Sequence, residues 1–343
     1  MFLAWKEMRY AKLRYVLIIG IITLITALVL SISGLANGLA VDNASAIKNM
    51  PAETYVVEAA DKHQLERSQL TEAEVETIQG GSPLGMQMVE ITHNSEPLNI
   101  SLFAFDQSSK FMPASNDIAH LEPYEVLADP SLKQQGLTIG DSFRYNETTW
   151  TVKGFTDQRY SYGHTPALIT GLNTWHSITD TYQAVLFSEK DTAIDPPSSL
   201  DVVQKGDILS NVPGYSAEQG SLTMMVTFLL IIAAIVLATF FYVMTLQKLH
   251  QYGVLKAIGT KVRILLGALF AQISLLSVLG IAAGVALTYG LTVVIPGGVP
   301  FELSVGMILF NSGLILIMAW IGSLLSFRSI VSVDPLEAIG SVK

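Results

Sequence analysis

Four runs of apolar residues, none containing a formal charge, punctuate this sequence at 16–36, 222–246, 264–295 and 305–327. A helix needs about 20 consecutive apolar residues to cross a bilayer core, so each run predicts one transmembrane helix. The third is long for a single span, which predicts tilt or a helical extension beyond the membrane. Between the first two runs the pattern changes. Alternating and β-branched stretches at 53–59, 143–154 and 184–187 predict strands. Residues 70–78, after Ser68, predict a short acidic helix. GLTIGD at 136–141 predicts a turn leading into a strand, and Asn146-Glu147 the turn of a hairpin.

Composition agrees with a membrane protein: half of the 343 residues are hydrophobic and 14% are charged. The charge is segregated. Residues 1–15, 247–263 and 328–343 carry a balance of +7, and the rest of the chain −16. Basic loops mark the cytoplasmic side. Lys6, Arg9, Lys12 and Arg14 precede the first span, and Lys248, Lys256, Lys261 and Arg263 separate the second from the third. Arg328 and Lys343 follow the fourth. Both termini are therefore expected in the cytoplasm of a multi-pass cell-membrane protein, with the large domain outside. Phe2, Leu3, Trp5, Met8 and Leu13 interleave with the first basic residues, which suits a helix lying in the inner interface. The first span is read as an uncleaved anchor, because its apolar run exceeds a usual signal-peptide core.

The expected fold is an α-helical membrane bundle of four transmembrane helices per chain with an inserted α+β extracytoplasmic domain. Its divisions are 1–36, 37–221 and 222–343, with a cytoplasmic segment at 247–263. Gly280 and Gly284 form a small-xxx-small pair, read as close packing inside one bundle ahead of a dimer seam.

Catalytic chemistry is not evident. There is no cysteine, hence no disulfide, thiol nucleophile or cysteine-bound metal. The phosphate-binding G-x-x-x-x-G-K-[ST], the G-x-S-x-G elbow and the H-E-x-x-H zinc helix are all missing. The spans hold no Asp, Glu, Lys or Arg, which disfavours an ion-coupled pump. Energy for any transport must then come from a partner. His164 and His176 could meet in space, but two lone histidines make a weak metal site. Glu218 stands at the outer mouth of the second span. Ser216 and Gln219 would form a capping box around it, and an acid in the first turn favours the helix dipole. The stretch 251–259 groups Tyr252, Leu255 and Ile258 beside Lys256. Such a short amphipathic helix either fills a groove on a partner or lies on lipid headgroups.

Three segments carry a resemblance to a known family. LAWKEMRYAKLRYVLI opens the chain, LQKLHQYGVLKAIGTKVRILLGALFAQ joins the second and third spans, and SVDPLEAIG closes it. Together with the order of spans, they resemble the MacB/FtsX-type permease subunits of ABC transporters along the whole chain. One departure is that Gln251 and Tyr252 stand where the family often has an acidic residue followed by Ile. More narrowly, MFLAWKEMR, SGLANGLA and GYSAEQGSL look like the heme-exporting HrtB-type permeases of Gram-positive bacteria.

The resemblance implies a non-catalytic permease that dimerises with itself and docks two copies of an ABC ATPase subunit, so that ATP acts only through the partner. Tyr252, Leu255, Lys256 and Ile258 would make the docking surface. Heme would be the substrate, with no intrinsic cofactor, no metal beyond heme iron and no nucleic-acid partner. Glu218 would then be the candidate iron ligand, with Tyr215 as the alternative oxygen ligand. Met225 lies ~10 Å from Glu218 along a helix of 1.5 Å rise, and would pack on the porphyrin edge. The competing readings are an FtsX-like regulator of an extracellular partner, an exporter of another amphiphile or peptide, and a membrane receptor without an ATPase.

Overall fold

The computed structural model describes residues 12–93, 96–115, 118, 120–189, 194–294 and 299–331. The interfacial segment expected over the first residues lies mostly outside them, and the closing SVDPLEAIG wholly so. The chain forms two compact units, one of residues 38–220 and the other of residues 1–37 with 221–343.

The helices in chain order are α1 (Lys12–Asn49), α2 (Glu72–Thr77), α3 (Leu172–Trp175), α4 (Lys205–Asn211), α5 (Tyr215–Leu246), α6 (Leu249–Ala257), α7 (Val262–Thr292) and α8 (Val305–Val331). Among the described residues, α1, α5, α7 and α8 are long and apolar enough to cross a membrane. Each outlasts its apolar run at one end or both. The longest overrun is in α1, where NGLAVDNASAIKN continues the helix 13 residues beyond 36. Ala40, Ala44, Ala46 and Ile47 are buried there, so tertiary packing sustains a helix that local hydropathy does not demand. The helix bends at Ala44, whose backbone is not helical (φ −140°, ψ 18°).

The core of the bundle uses residues spaced three or four apart, the period of one helical face. Tyr15, Ile18 and Ile22 of α1 meet Leu237, Phe241 and Met244 of α5, Leu265, Leu269, Ile273 and Leu276 of α7, and Ala319 of α8. Gly280 and Gly284 bring α7 against α1. A Cβ on Gly280 would lie 2.6 Å from Ile22 Cβ, and one on Gly284 2.5 Å from Thr26 Cβ. Thr23 Oγ1 also donates to the Gly280 carbonyl at 3.2 Å. The pair is a packing seam within one chain.

The inserted unit is built on strands that run from β1 (Thr54–Glu58) to β12 (Leu200–Gln204) and include β3 (Ser82–His93), β4 (Glu96–Phe105), β5 (Glu125–Ala128), β6 (Ser142–Tyr145), β7 (Thr148–Phe155), β8 (Ser161–Tyr162), β9 (Thr165–Gly171) and β11 (Ala184–Phe187). These form a mixed sheet in the order β12-β1-β11-β3-β4-β9-β5-β7-β6, with β8 paired to β9. The long β3 also meets β6 through Thr92 and Arg144. This closes part of the sheet into a barrel-like ring. Side chains alternate across β4 (Glu96–Phe105). Leu102 and Ala104 enter a cluster with Trp150 and Phe143, while Phe103 and Phe105 pack with the end of α1 through Ala44, Ile47 and Met50. The expected acidic helix is α2, closed by a capping box between Thr71 and Glu74. The hairpin between β6 and β7 (Thr148–Phe155) turns at Asn146 and Glu147. Both have positive φ, 47° and 61°, as a two-residue type I′ turn requires.

Candidate functional site

The bend of α1 places Asp42 and Asn43 beside two other pieces of the inserted unit. One is the turn between β8 (Ser161–Tyr162) and β9 (Thr165–Gly171), with His164 at its tip. The other is the first turn of α5, with Glu218. Glu218 Oε1 lies 3.1 Å from His164 Nε2, and Oε2 accepts from Asn43 Nδ2 at 3.1 Å. The opposite ring nitrogen of His164 is 3.1 Å from Asp42 Oδ2. Asp42 Oδ1 accepts from Arg159 at 3.1 Å. An unbroken polar chain thus runs from Arg159 through Asp42, His164 and Glu218 to Asn43. It is open to solvent at its centre, where the side chains of His164, Glu218 and Asp42 are 39%, 29% and 27% exposed.

Burial works against charge on His164. The hydrogen bonds to Asp42 and Glu218, with the charges of both carboxylates, outweigh it and raise the pKa above the ordinary histidine value. The ring holds its two carboxylates on opposite nitrogens, which is the geometry of a bridging donor and not of one chelated ion. Among the described residues no three His, Asp or Glu side chains are grouped to hold a metal ion. His176 is elsewhere, 3.2 Å from the Tyr182 hydroxyl, so the two histidines do not meet.

Ser216, expected to open the helix as its cap, lies inside α5, one residue past its start at Tyr215, and its hydroxyl donates to the Ser210 carbonyl at 2.6 Å. Gly214, at φ 79°, turns the chain into the helix one residue before its start. Tyr215 packs against the core of the inserted unit, with Lys48 Nζ 5.2 Å above its ring. Met225 lies two helical turns beyond Glu218 and is 50% exposed.

The expected docking set divides. Tyr252 is buried in the bundle core with Leu255 packed against it, whereas Ile258 is 74% exposed and Lys256 half-exposed. Tyr252 is therefore a packing residue: it follows the buried Lys248 by one helical turn and shares its inward face. Ile258 is held out by the C-terminal stop of α6. Gly259 takes φ 95°, Thr260 N–H donates to the Leu255 carbonyl at 3.0 Å, and Gly259 N–H donates to that of Lys256 at 3.1 Å. This is a Schellman motif, which glycine satisfies without strain.

Lys248, counted among the basic residues between the second and third spans, is only 5% exposed. Its Nζ is 3.0 Å from the Tyr15 hydroxyl and 3.2 Å from Gln272 Oε1, and Gln272 Nε2 donates to the same hydroxyl at 2.7 Å. The apolar run holding Gln272 gave a signal for this site, since a lone carboxamide in a span needs a partner.

Comparison with known proteins places these features in a family. The FtsX-like permease C-terminal domain matches residues 223–335. The "Putative hemin transport system permease protein HrtB" of Staphylococcus haemolyticus is 34% identical over 360 residues, covering 99% of this chain and 99% of that protein. The protein of the same name from Staphylococcus epidermidis is 30% identical, covering 98% and 99%. Among solved structures, the extracellular domain of the noncanonic ABC-type transporter YknZ from Gram-positive bacteria aligns at a TM-score of 0.30 and 10% identity. It covers 43% of this chain and 84% of that one, a likeness too slight to bear on fold or function.

Proposed function

This chain belongs to the FtsX-like family of ABC transporter permeases, and from that premise we propose that it is the membrane subunit of an ATP-driven exporter that extrudes heme. ATP is hydrolysed on a separate chain, two copies of which dock on a homodimer of this permease. The observation that carries the reading is 34% identity along 99% of the chain to a protein named for hemin transport. Local chemistry supports it. Ferric heme is a flat apolar ring around a cation, and Glu218 offers an oxygen ligand in the first turn of an apolar helix. Tyr215 is the alternative oxygen ligand, and Met225 an adaptable contact for the ring edge. Heme is cargo here and not a resident cofactor.

Titrating the purified protein with hemin tests this. Glu218→Ala is expected to lose the bound-heme absorption band and the protection of cells against heme, while still assembling in the membrane. Wild-type binding by Glu218→Ala would remove Glu218 from the site. A deletion strain with unaltered heme resistance would favour instead a regulator of an extracellular partner, or an exporter of another amphiphile or peptide.

The ATPase docks on the end of α6 through Ile258, with Leu255 and Lys256 at the edge of the contact. Ile258→Asp is expected to leave the permease in the membrane and abolish most of its stimulation of the ATPase. An active complex recovered with this variant would exclude the docking role. In orientation, both termini and 247–263 face the cytoplasm, as the basic flanks require. The chain has no cysteine, so single cysteines report cleanly. Glu76→Cys should react with an impermeant thiol reagent in intact cells and Lys261→Cys should not; the opposite pattern inverts the topology.

A further inference from the structure

We infer that His164 is the positioning residue of Glu218, fixing the carboxylate in the orientation from which it takes the iron of heme. The inference rests on the reading of Glu218 as the ligand and adds a residue 54 positions away in the sequence. Its basis is the way the carboxylate is held. Each oxygen receives one donor: Oε1 is 3.1 Å from His164 Nε2, and Oε2 is 3.1 Å from Asn43 Nδ2. An ionised carboxylate has about four lone-pair sites, so roughly half remain for a cation while the other half lock the rotamer.

The donors are themselves fixed. Asn43 is fully buried, and the same amide nitrogen donates to the Pro213 carbonyl at 3.2 Å. The His164 ring is gripped on its far edge by Asp42, which Arg159 holds in turn. Such an arrangement, in which the ligand's own partners are aimed by further carboxylates and cations, orients metal ligands in general.

The ring sits at the tip of a two-residue hairpin. Gly163 at φ 57° and His164 at φ 61° form the loop between the paired Tyr162 and Thr165, as a type I′ turn requires. The turn is pinned in place: Gly163 N–H donates to the Asn43 carbonyl at 2.8 Å, and Thr165 Oγ1 to the Tyr162 carbonyl at 2.6 Å. The turn thus holds an imidazole against Glu218 in a conformation that glycine would adopt at less cost. A tie between the turn and α5 alone would not need both Glu218 oxygens held while the side chain stays open to solvent.

The test uses the full-length protein in nanodiscs, titrated with hemin and followed by absorbance and by the electron paramagnetic resonance of the ferric iron. His164→Gly removes the imidazole without straining the backbone at φ 61°. It is expected to weaken hemin binding by about 10–100-fold, the usual cost of losing an orienting partner, and to broaden the ferric signal as the carboxylate samples several rotamers. His164→Gln restores a single donor and should recover most of the affinity and the sharp signal. Protease resistance of the inserted domain shows that each variant is folded. If Glu218→Ala loses hemin while His164→Gly keeps wild-type affinity and spectrum, the positioning role is overturned. A Gln variant as weak as the Gly variant overturns it as well. If Glu218→Ala itself binds like the wild type, the ligand assignment fails, whatever His164 does.

Discussion

Replacing Trp150 by alanine is expected to destabilise the inserted domain by about 3–5 kcal/mol, the range for deleting a large buried aromatic. The side chain is 1% exposed. It stands at the centre of an aromatic group, with ring centroids 5.7 Å from Tyr124, 6.2 Å from Phe143 and 5.9 Å from Tyr145. Its indole nitrogen has no hydrogen-bond partner among the described residues. The loss is therefore one of volume and ring contact, and Trp150→Phe should cost clearly less than Trp150→Ala. Hydrogen–deuterium exchange over β4, β6 and β7 in the full-length protein, against denaturant, measures both. A Trp150→Ala protein that unfolds at the wild-type denaturant concentration would contradict this packing. The barrel-like part of the sheet is the scaffold that presents the turn carrying His164.

Gly284→Leu is expected to prevent α1 and α7 from closing on each other. The Cβ alone would sit 2.5 Å from Thr26 Cβ and 2.9 Å from the Thr23 carbonyl oxygen. Neither is the flexible end of a side chain, so a helix must move. Overpacking a fitted core costs about 1–3 kcal/mol and sometimes more; four added carbons against backbone belong at the upper end. The control is Gly290→Leu on the same helix, where a Cβ meets nothing within 4 Å. Thermal unfolding in detergent and the yield of monodisperse protein should fall sharply for the first variant and little for the second. Equal behaviour of the two would rule out the seam.

Much of the architecture is legible without coordinates because it rests on local period. An uncharged run of about 20 residues must be helical in a bilayer, where backbone groups find no water. The strand at β11 (Ala184–Phe187) appears where its apolar run stands, and the β6–β7 hairpin turns at Asn146 and Glu147. Such features depend on residues a few positions apart. Glu218 was visible for the same kind of reason, as an isolated acid beside an apolar helix.

The remainder of the site has no local signature. His164 is one of six scattered histidines, and only the meeting of a bent helix, a turn and a helix start brings it to Glu218 and Asp42. Lys248 is a second such case. It counts among the basic residues that orient the chain, yet Tyr15 and Gln272 take it into the bundle from 233 and 24 positions away. Tyr252 follows it inward, leaving Ile258 outside. Hydropathy and residue period along the chain are thus enough to place the spans and the change to a strand-rich insert. Which polar side chains share a site depends on the packing of distant segments. Period and hydropathy act along the chain, whereas a hydrogen bond is made only when atoms from distant segments come within about 3 Å of each other.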